Sequence, residues 1–242
     1  MSRVAWYDIR TRGWLRDILI LLHIPYSVWF LSYVVIGAAL APELNWGWLL
    51  WTLLAFFLAM VIGAHCLDEF NGRPLKTSIP SPVLWVAGVA SVAGAIAIGA
   101  VIGVQVTVWL IPCMVFGGFA VFAYNLEWFG GRFHTDYWFG IAWGGFPVIT
   151  AYLAQAHGLS WQVCLVAFAC VLYSMAQRVL SRQSRFWRRR VLTLTGRYIR
   201  VGAPVGAPSE DLTKEDVVRP ADLALKFMTW AVAAGAVGML LK

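Results

Sequence analysis

His65-Cys66-Leu67-Asp68-Glu69-Phe70-Asn71-Gly72-Arg73-Pro74-Leu75-Lys76-Thr77 closes an apolar run over 47–67 without a gap. A helix needs about 20 apolar residues to cross the hydrocarbon core of a bilayer. The polar residues of this stretch therefore sit where a membrane helix leaves the bilayer. Two carboxylates, an imidazole, a guanidinium and an ammonium are expensive to keep near hydrocarbon. Carboxylates beside cations at that depth point to a bound metal and a bound anion.

Composition agrees with a membrane setting. The chain of 242 residues is 60% hydrophobic and 13% charged, where a soluble domain is about 45–50% apolar and about 25% charged. Fourteen Trp suit interfacial belts. The net charge of +7 does not imply nucleic acid, because the basic residues gather at helix ends. Cys66, Cys113, Cys164 and Cys170 lie in or beside apolar runs without C-x-x-C spacing, so they read as small buried hydrophobes. Arg3, Arg10, Arg12 and Arg16 precede a first apolar run too long for the core of a signal peptide.

Seven runs qualify as spans: 18–40, 47–67, 83–103, 105–124, 137–155, 161–179 and 223–241. The expectation is an all-α, polytopic transmembrane bundle of about seven helices forming one domain over 1–242, with 180–222 a cytoplasmic basic stretch and linker before the last helix. Placing the N-terminus inside puts 18 of the 19 Lys and Arg in inner segments or the helix ends beside them. The C-terminus is then outside. The His65–Thr77 stretch shares the cytoplasmic face with a second polar stretch, Tyr124-Asn125-Leu126-Glu127 through Gly131-Arg132-Phe133-His134-Thr135-Asp136.

Other segments read as packing or as charge anchors. Pro25 predicts a kink in the first helix and a freed carbonyl, and His23 reads as an interhelical histidine. The third run is dense in Gly and Ala, which lets helix backbones approach. Trp143-Gly144-Gly145-Phe146-Pro147 predicts a bent helix, whose aromatic rings either shape a cavity or fill space. Arg178 to Arg190 reads either as a charge cluster that stops transfer or as a helix lying on anionic lipid.

Asp68 and Glu69 are adjacent, so on a helix they point about 100° apart. His65 can share a face with either. Hard oxygen ligands beside cations suit Mg²⁺ that also holds a substrate phosphate. In that reading Asp68 and Glu69 bind Mg²⁺, while Arg73, Lys76, Arg132 and Arg178 grip the phosphates. His65 or His134 takes a proton near neutral pH. Two alternatives stand beside it: loop anchoring at the interface, and a transition metal held by His65, Asp68, Glu69, His134 and Asp136 for membrane oxidation.

These residues resemble the UbiA superfamily of intramembrane prenyltransferases over about 15–180. Asp68 matches the first Asp of that family's Asn-x-x-x-Asp-x-x-x-Asp motif, and Lys76-Thr77-Ser78-Ile79-Pro80 is similar to its following Arg-Thr-x-x-Arg-Pro segment. Tyr124, Arg132 and Thr135 resemble its Tyr-x-x-x-Lys-Arg-x-Thr segment. Gly140-Ile141-Ala142-Trp143-Gly144 looks like its fifth helix. The resemblance implies Mg²⁺-dependent transfer of an isoprenoid group from a prenyl diphosphate to an aromatic or lipid-like acceptor, in a cavity lined by Tyr124, Asn125, Tyr137 and Trp138, whose aromatic rings shield the allylic cation. The chain departs from the family at Ala64, where the motif has Asn, and at Asn71 or Gly72, where it has its second Asp. No carboxylate follows the sixth run where a second acidic motif belongs. A non-catalytic isoprenoid- or lipid-binding homologue, or a subunit of a membrane complex, is therefore the alternative expectation.

Overall fold

In the computed structural model, which describes Tyr7 and residues 13–241, the chain is helical apart from one short hairpin. In order run α1 (Trp14–Leu21), α2 (Ile24–Ala39), α3 (Trp46–Phe56), a π-helical segment (Phe57–Gly63), α4 (Ala64–Gly72), α5 (Ser81–Gln105), α6 (Leu110–Asn125), α7 (Trp128–Gly131) and α8 (Asp136–Phe139). A second π-helical segment (Gly140–Gly145), α9 (Phe146–Leu153), α10 (Trp161–Arg190), the antiparallel pair β1 (Arg197–Tyr198) and β2 (Glu210–Asp211), and α11 (Lys214–Leu240) complete it.

Among the described residues five helical rods are long and apolar enough to cross a membrane: 14–39, 46–72, 81–105, 161–190 and 214–240. The other two expected spans are helical but fall outside that set. Leu110–Asn125 has 16 residues, and 136–153 is divided between α8, the π-helical turn and α9.

The helix ends follow local chemistry. Asn45 Oδ1 accepts from Trp48 N at 3.0 Å, and Ser160 Oγ accepts from Val163 N at 3.3 Å, each satisfying one of the N–H groups a helix start leaves open. Thr213 and Asp216 form a capping box. The first rod breaks at His23, two residues before Pro25, where φ is 47°, and Pro25 sits in the first turn of α2. The Leu22 carbonyl accepts from Ser27 Oγ at 2.5 Å.

The core is aromatic and centred on α2, with Trp29, Tyr33, Val34, Leu67 and Val148 at or near zero exposure. Gly37 packs on the Val148 backbone, where a Cβ would collide with that carbonyl. The region expected as a linker is more ordered than its composition predicts. Residues 180–190 extend α10 without interruption, and 214–222 already belong to α11. Arg188 and Ser184 both donate to Asp222, which ties the two helices together.

Candidate functional site

Helix α10 sets one wall of the site. Its buried residues are Val163, Ala167, Cys170, Ser174, Gln177, Ser181 and Ser184, a spacing of alternating three and four. That spacing is one continuous inward stripe. The stripe is apolar up to Cys170 and polar from Ser174 onward. Burying four polar side chains in succession is costly unless something polar faces them.

Three of them, Gln177, Ser181 and Ser184, line a cavity of about 240 Å³, and Ser174 donates to Tyr33 Oη instead. His65 and Asp68 reach it from α4, Tyr124 and Asn125 from the end of α6, and His134 from the turn before α8. Phe139 and Trp143 supply an aromatic side, while Arg178, Arg185 and Arg189 of α10 are also on its lining. The two polar stretches, far apart in sequence, therefore meet at one hollow.

Both imidazoles have a fixed hydrogen bond. His65 Nδ1 lies 3.0 Å from the Val61 carbonyl, and His134 Nδ1 lies 3.0 Å from the Tyr124 carbonyl. A carbonyl only accepts, so each ring donates through Nδ1, and in the neutral imidazole Nε2 is then the acceptor. His134 stacks on the Tyr124 ring at 4.4 Å. His23 meets His65 edge to face at 4.2 Å.

The positive groups differ in how they are held. Arg178 donates from Nε to Asp136 Oδ1 at 3.0 Å, and Arg182 reaches the other oxygen at 2.7 Å. The Arg178 guanidinium also lies over the Phe139 ring at 4.9 Å and the Tyr124 ring at 5.5 Å. Among the described residues Arg185 has no hydrogen-bond or ion-pair partner, and neither has Asp68.

Six of the twelve expected site residues line this cavity: His65, Asp68, Tyr124, Asn125, His134 and Arg178. The other six lie elsewhere. Glu69 has zero exposure and accepts from Leu75 N at 2.9 Å, Thr77 N at 2.8 Å and Thr77 Oγ1 at 2.9 Å. Arg73 braces the same loop by donating to the Ile79 carbonyl at 2.6 Å and to Ser81 Oγ at 2.5 Å. Lys76 and Arg132 are exposed. Tyr137 is exposed, and Trp138 packs on Phe133 at 5.0 Å.

Sequence reasoning missed Arg185, Arg189, Gln177, Ser181 and Ser184. Their signal was present: the three-four spacing of the sixth run continues past its apolar end. Tyr7 and Tyr26 also reach the lining.

The lining does not fit a Mg²⁺ held by the protein alone. Of the two carboxylates expected to share it, Asp68 lines the cavity but Glu69 is consumed by its loop; Asp136, from the transition-metal set, is held by two arginines. Among the described residues no three His, Cys, Asp or Glu side chains gather into a ligand set, so the transition-metal alternative finds no cluster either.

No family model, curated protein or solved structure matches the chain.

Proposed function

We propose that this is an integral membrane prenyltransferase-like protein that takes a prenyl diphosphate into the α4–α10 cavity. The observation that carries this reading is the juxtaposition of Arg178, Arg185 and Arg189 with the rings of Tyr124, Phe139 and Trp143. Guanidinium groups bind diphosphate through charge-assisted, forked hydrogen bonds. The aromatic faces take the allylic end. About 240 Å³ lies below the roughly 300–1,000 Å³ of a site for a drug-sized ligand. The cavity therefore holds the head group and the reacting end, and the rest of the tail lies in lipid.

In the reaction, the allylic C–O bond breaks heterolytically and both electrons leave with the diphosphate, whose growing charge the arginines stabilise. The carbocation faces the aromatic rings and the unpaired carboxylate of Asp68. The acceptor attacks it with an electron pair. The proton the acceptor loses goes to Nε2 of His134 or His65. By the distribution of Lys and Arg, the N-terminus and this cavity face the cytoplasm, and the C-terminus lies outside.

The test is binding and turnover in lipid nanodiscs. Purified protein should bind geranylgeranyl diphosphate and, with an acceptor, release inorganic diphosphate. Arg185→Ala should weaken the binding about tenfold or more, since hydrogen bonds to charged groups contribute about 1.5–3 kcal/mol. No binding at all would sink the reading. The single free carboxylate in the lining favours a second reading, a non-catalytic isoprenoid binder, and tight binding without diphosphate release would establish that one.

A further inference from the structure

A diphosphate and a carboxylate repel each other. A site lined by carboxylates therefore takes the anion with a divalent cation between them, and Mg²⁺ is held there by one or two carboxylates together with the substrate's own phosphates. Guanidinium groups meet the same oxygens directly, through paired N–H donors. The balance of fixed charges decides which arrangement a cavity favours.

Here the balance lies with the arginines. Arg178, Arg185 and Arg189 line the hollow, and among the described residues Asp68 is the one carboxylate on its lining. The acids nearby are engaged. Asp136 accepts from Arg178 at 3.0 Å and from Arg182 at 2.7 Å. Glu69 accepts its hydrogen bonds inside its own loop, and Asp222 accepts from Ser184 and Arg188. The three lining arginines stand seven and four residues apart on α10, within about 40° of one another around its axis. Between Arg178 and Arg185 the helix gives the hollow only Ser181 and Ser184, small side chains that leave room for an anion. Arg185 is half-buried and has no hydrogen-bond or ion-pair partner among the described residues. Like charges around one hollow repel one another, and an anion among them relieves that cost. Residues 173–190 carry six Arg and no Asp or Glu.

A Mg²⁺ ion in this hollow is attracted by one carboxylate and repelled by three guanidiniums. It also takes up phosphate oxygens that the guanidiniums would grip, and it cancels part of the charge that draws the ligand to them. We infer that the cavity binds its diphosphate as the metal-free anion, with Arg178, Arg185 and Arg189 standing where the family resemblance implies Mg²⁺. Free Mg²⁺ then competes with the protein for the ligand instead of assisting it. The inference rests on the proposed function for the identity of the ligand, and on the charge balance of the lining for the rest.

The test is calorimetric titration of the full chain in nanodiscs of zwitterionic lipid, at constant ionic strength so that screening does not change. The probes are inorganic diphosphate and geranylgeranyl diphosphate, first in EDTA and then in a rising series of free Mg²⁺. Both should bind in EDTA, and the apparent affinity should fall as Mg²⁺ complexes the probe. Arg185→Glu should reverse the sign. It puts a second carboxylate on the lining, so binding in EDTA should weaken by about tenfold or more and Mg²⁺ should restore part of it. Arg189→Glu serves if that variant does not fold. Wild-type affinity that is flat or rises with Mg²⁺, binding that vanishes in EDTA, or glutamate variants that Mg²⁺ still weakens would overturn the inference. If geranylgeranyl diphosphate binds only with Mg²⁺, the inference falls and the proposed function survives. If inorganic diphosphate binds without metal and the prenyl form does not bind at all, the metal-free anion site stands and the prenyltransferase reading falls.

Discussion

Arg178 is held to Asp136 across 42 residues of sequence, Nε to Oδ1 at 3.0 Å, with both side chains largely buried. The pair fixes the start of α8 against the middle of α10. It also places a guanidinium over the aromatic side of the cavity while cancelling part of its charge. Asp136→Asn should therefore have two opposite effects. Stability should fall by about 1–3 kcal/mol, because a partly buried guanidinium loses its counter-charge. Affinity for inorganic diphosphate should rise a few-fold at low ionic strength, and the gain should shrink as salt is added. A thermal melt and a salt series of titrations measure both. Weaker diphosphate binding at every salt concentration would show that Asp136 aims Arg178 rather than restraining its charge.

The β1–β2 hairpin carries a pH dependence whose sign follows from its contacts. Tyr198 Oη donates to Glu210 Oε2 at 2.7 Å and Arg200 donates to the same oxygen at 2.8 Å. These bonds, the tyrosine's first and the arginine's next, hold the Glu210 carboxyl below its usual range. A group lowered on folding stabilises the folded form above its unfolded value and loses that contribution as pH falls through its folded value. The hairpin should stay closed at neutral pH and open in acid, below the ordinary glutamate range of about 4.3. Resonances of the Tyr198 ring followed from pH 7 to pH 3 would report this. Glu210→Gln should be looser at neutral pH and largely insensitive to acid. A hairpin that opens equally in both proteins would refute the assignment.

Much of the helical layout was legible because apolar runs of span length have few alternatives in a chain this hydrophobic. The meeting of the two polar stretches was legible too, through the distribution of Lys and Arg. Side-chain direction was not. Adjacency fixed that Asp68 and Glu69 diverge, but not which one faces the hollow. That choice depends on the backbone N–H groups of Leu75 and Thr77, which only the folded loop presents to Glu69. Arg185 and Arg189 were hidden for another reason. Charge density after the sixth run reads as the end of a span, whereas the spacing Ser174, Gln177, Ser181, Ser184 shows the same helix face continuing inward. The π-helical turns left no pattern in the sequence. Gly144-Gly145 and Pro147 announced irregularity, but the wider turn itself depends on how closely α10 packs against it.

That close packing predicts a graded effect of adding one methyl group. A Cβ at Gly144 would stand 2.5 Å from the Cys170 carbonyl oxygen and 2.7 Å from Ser174 Oγ, whereas one at Gly158 would meet nothing within 4 Å. Gly144→Ala should push α10 away from the π-helical turn, weaken the bond from Ser174 to Tyr33 and cost about 1–3 kcal/mol. Gly158→Ala should leave stability within about 0.5 kcal/mol of wild type. Paired thermal melts decide it, and equal behaviour of the two variants would mean that α10 is not seated as closely as described.

Asp68 and Glu69 should separate function from stability more sharply than any other neighbours in the chain. Glu69 is the buried acceptor of three hydrogen bonds. Glu69→Ala would leave two backbone N–H groups and a hydroxyl unpaired, at a cost of about 1–3 kcal/mol for each group that water cannot reach. It should melt well below wild type, and the loop from Arg73 to Ser81 should become open to protease. Among the described residues Asp68 has no bonding partner to lose, so Asp68→Asn should keep the wild-type melting temperature within a degree or two. If the proposed reaction is the protein's own, its effect should fall on turnover, because an unpaired carboxylate stabilises a developing cation and an amide does so far less. A loss of about one hundredfold in diphosphate release with unchanged prenyl diphosphate affinity is the expected result. Full activity in Asp68→Asn would remove the carboxylate from the reaction, and a destabilised Asp68→Asn would mean that it has a structural partner after all.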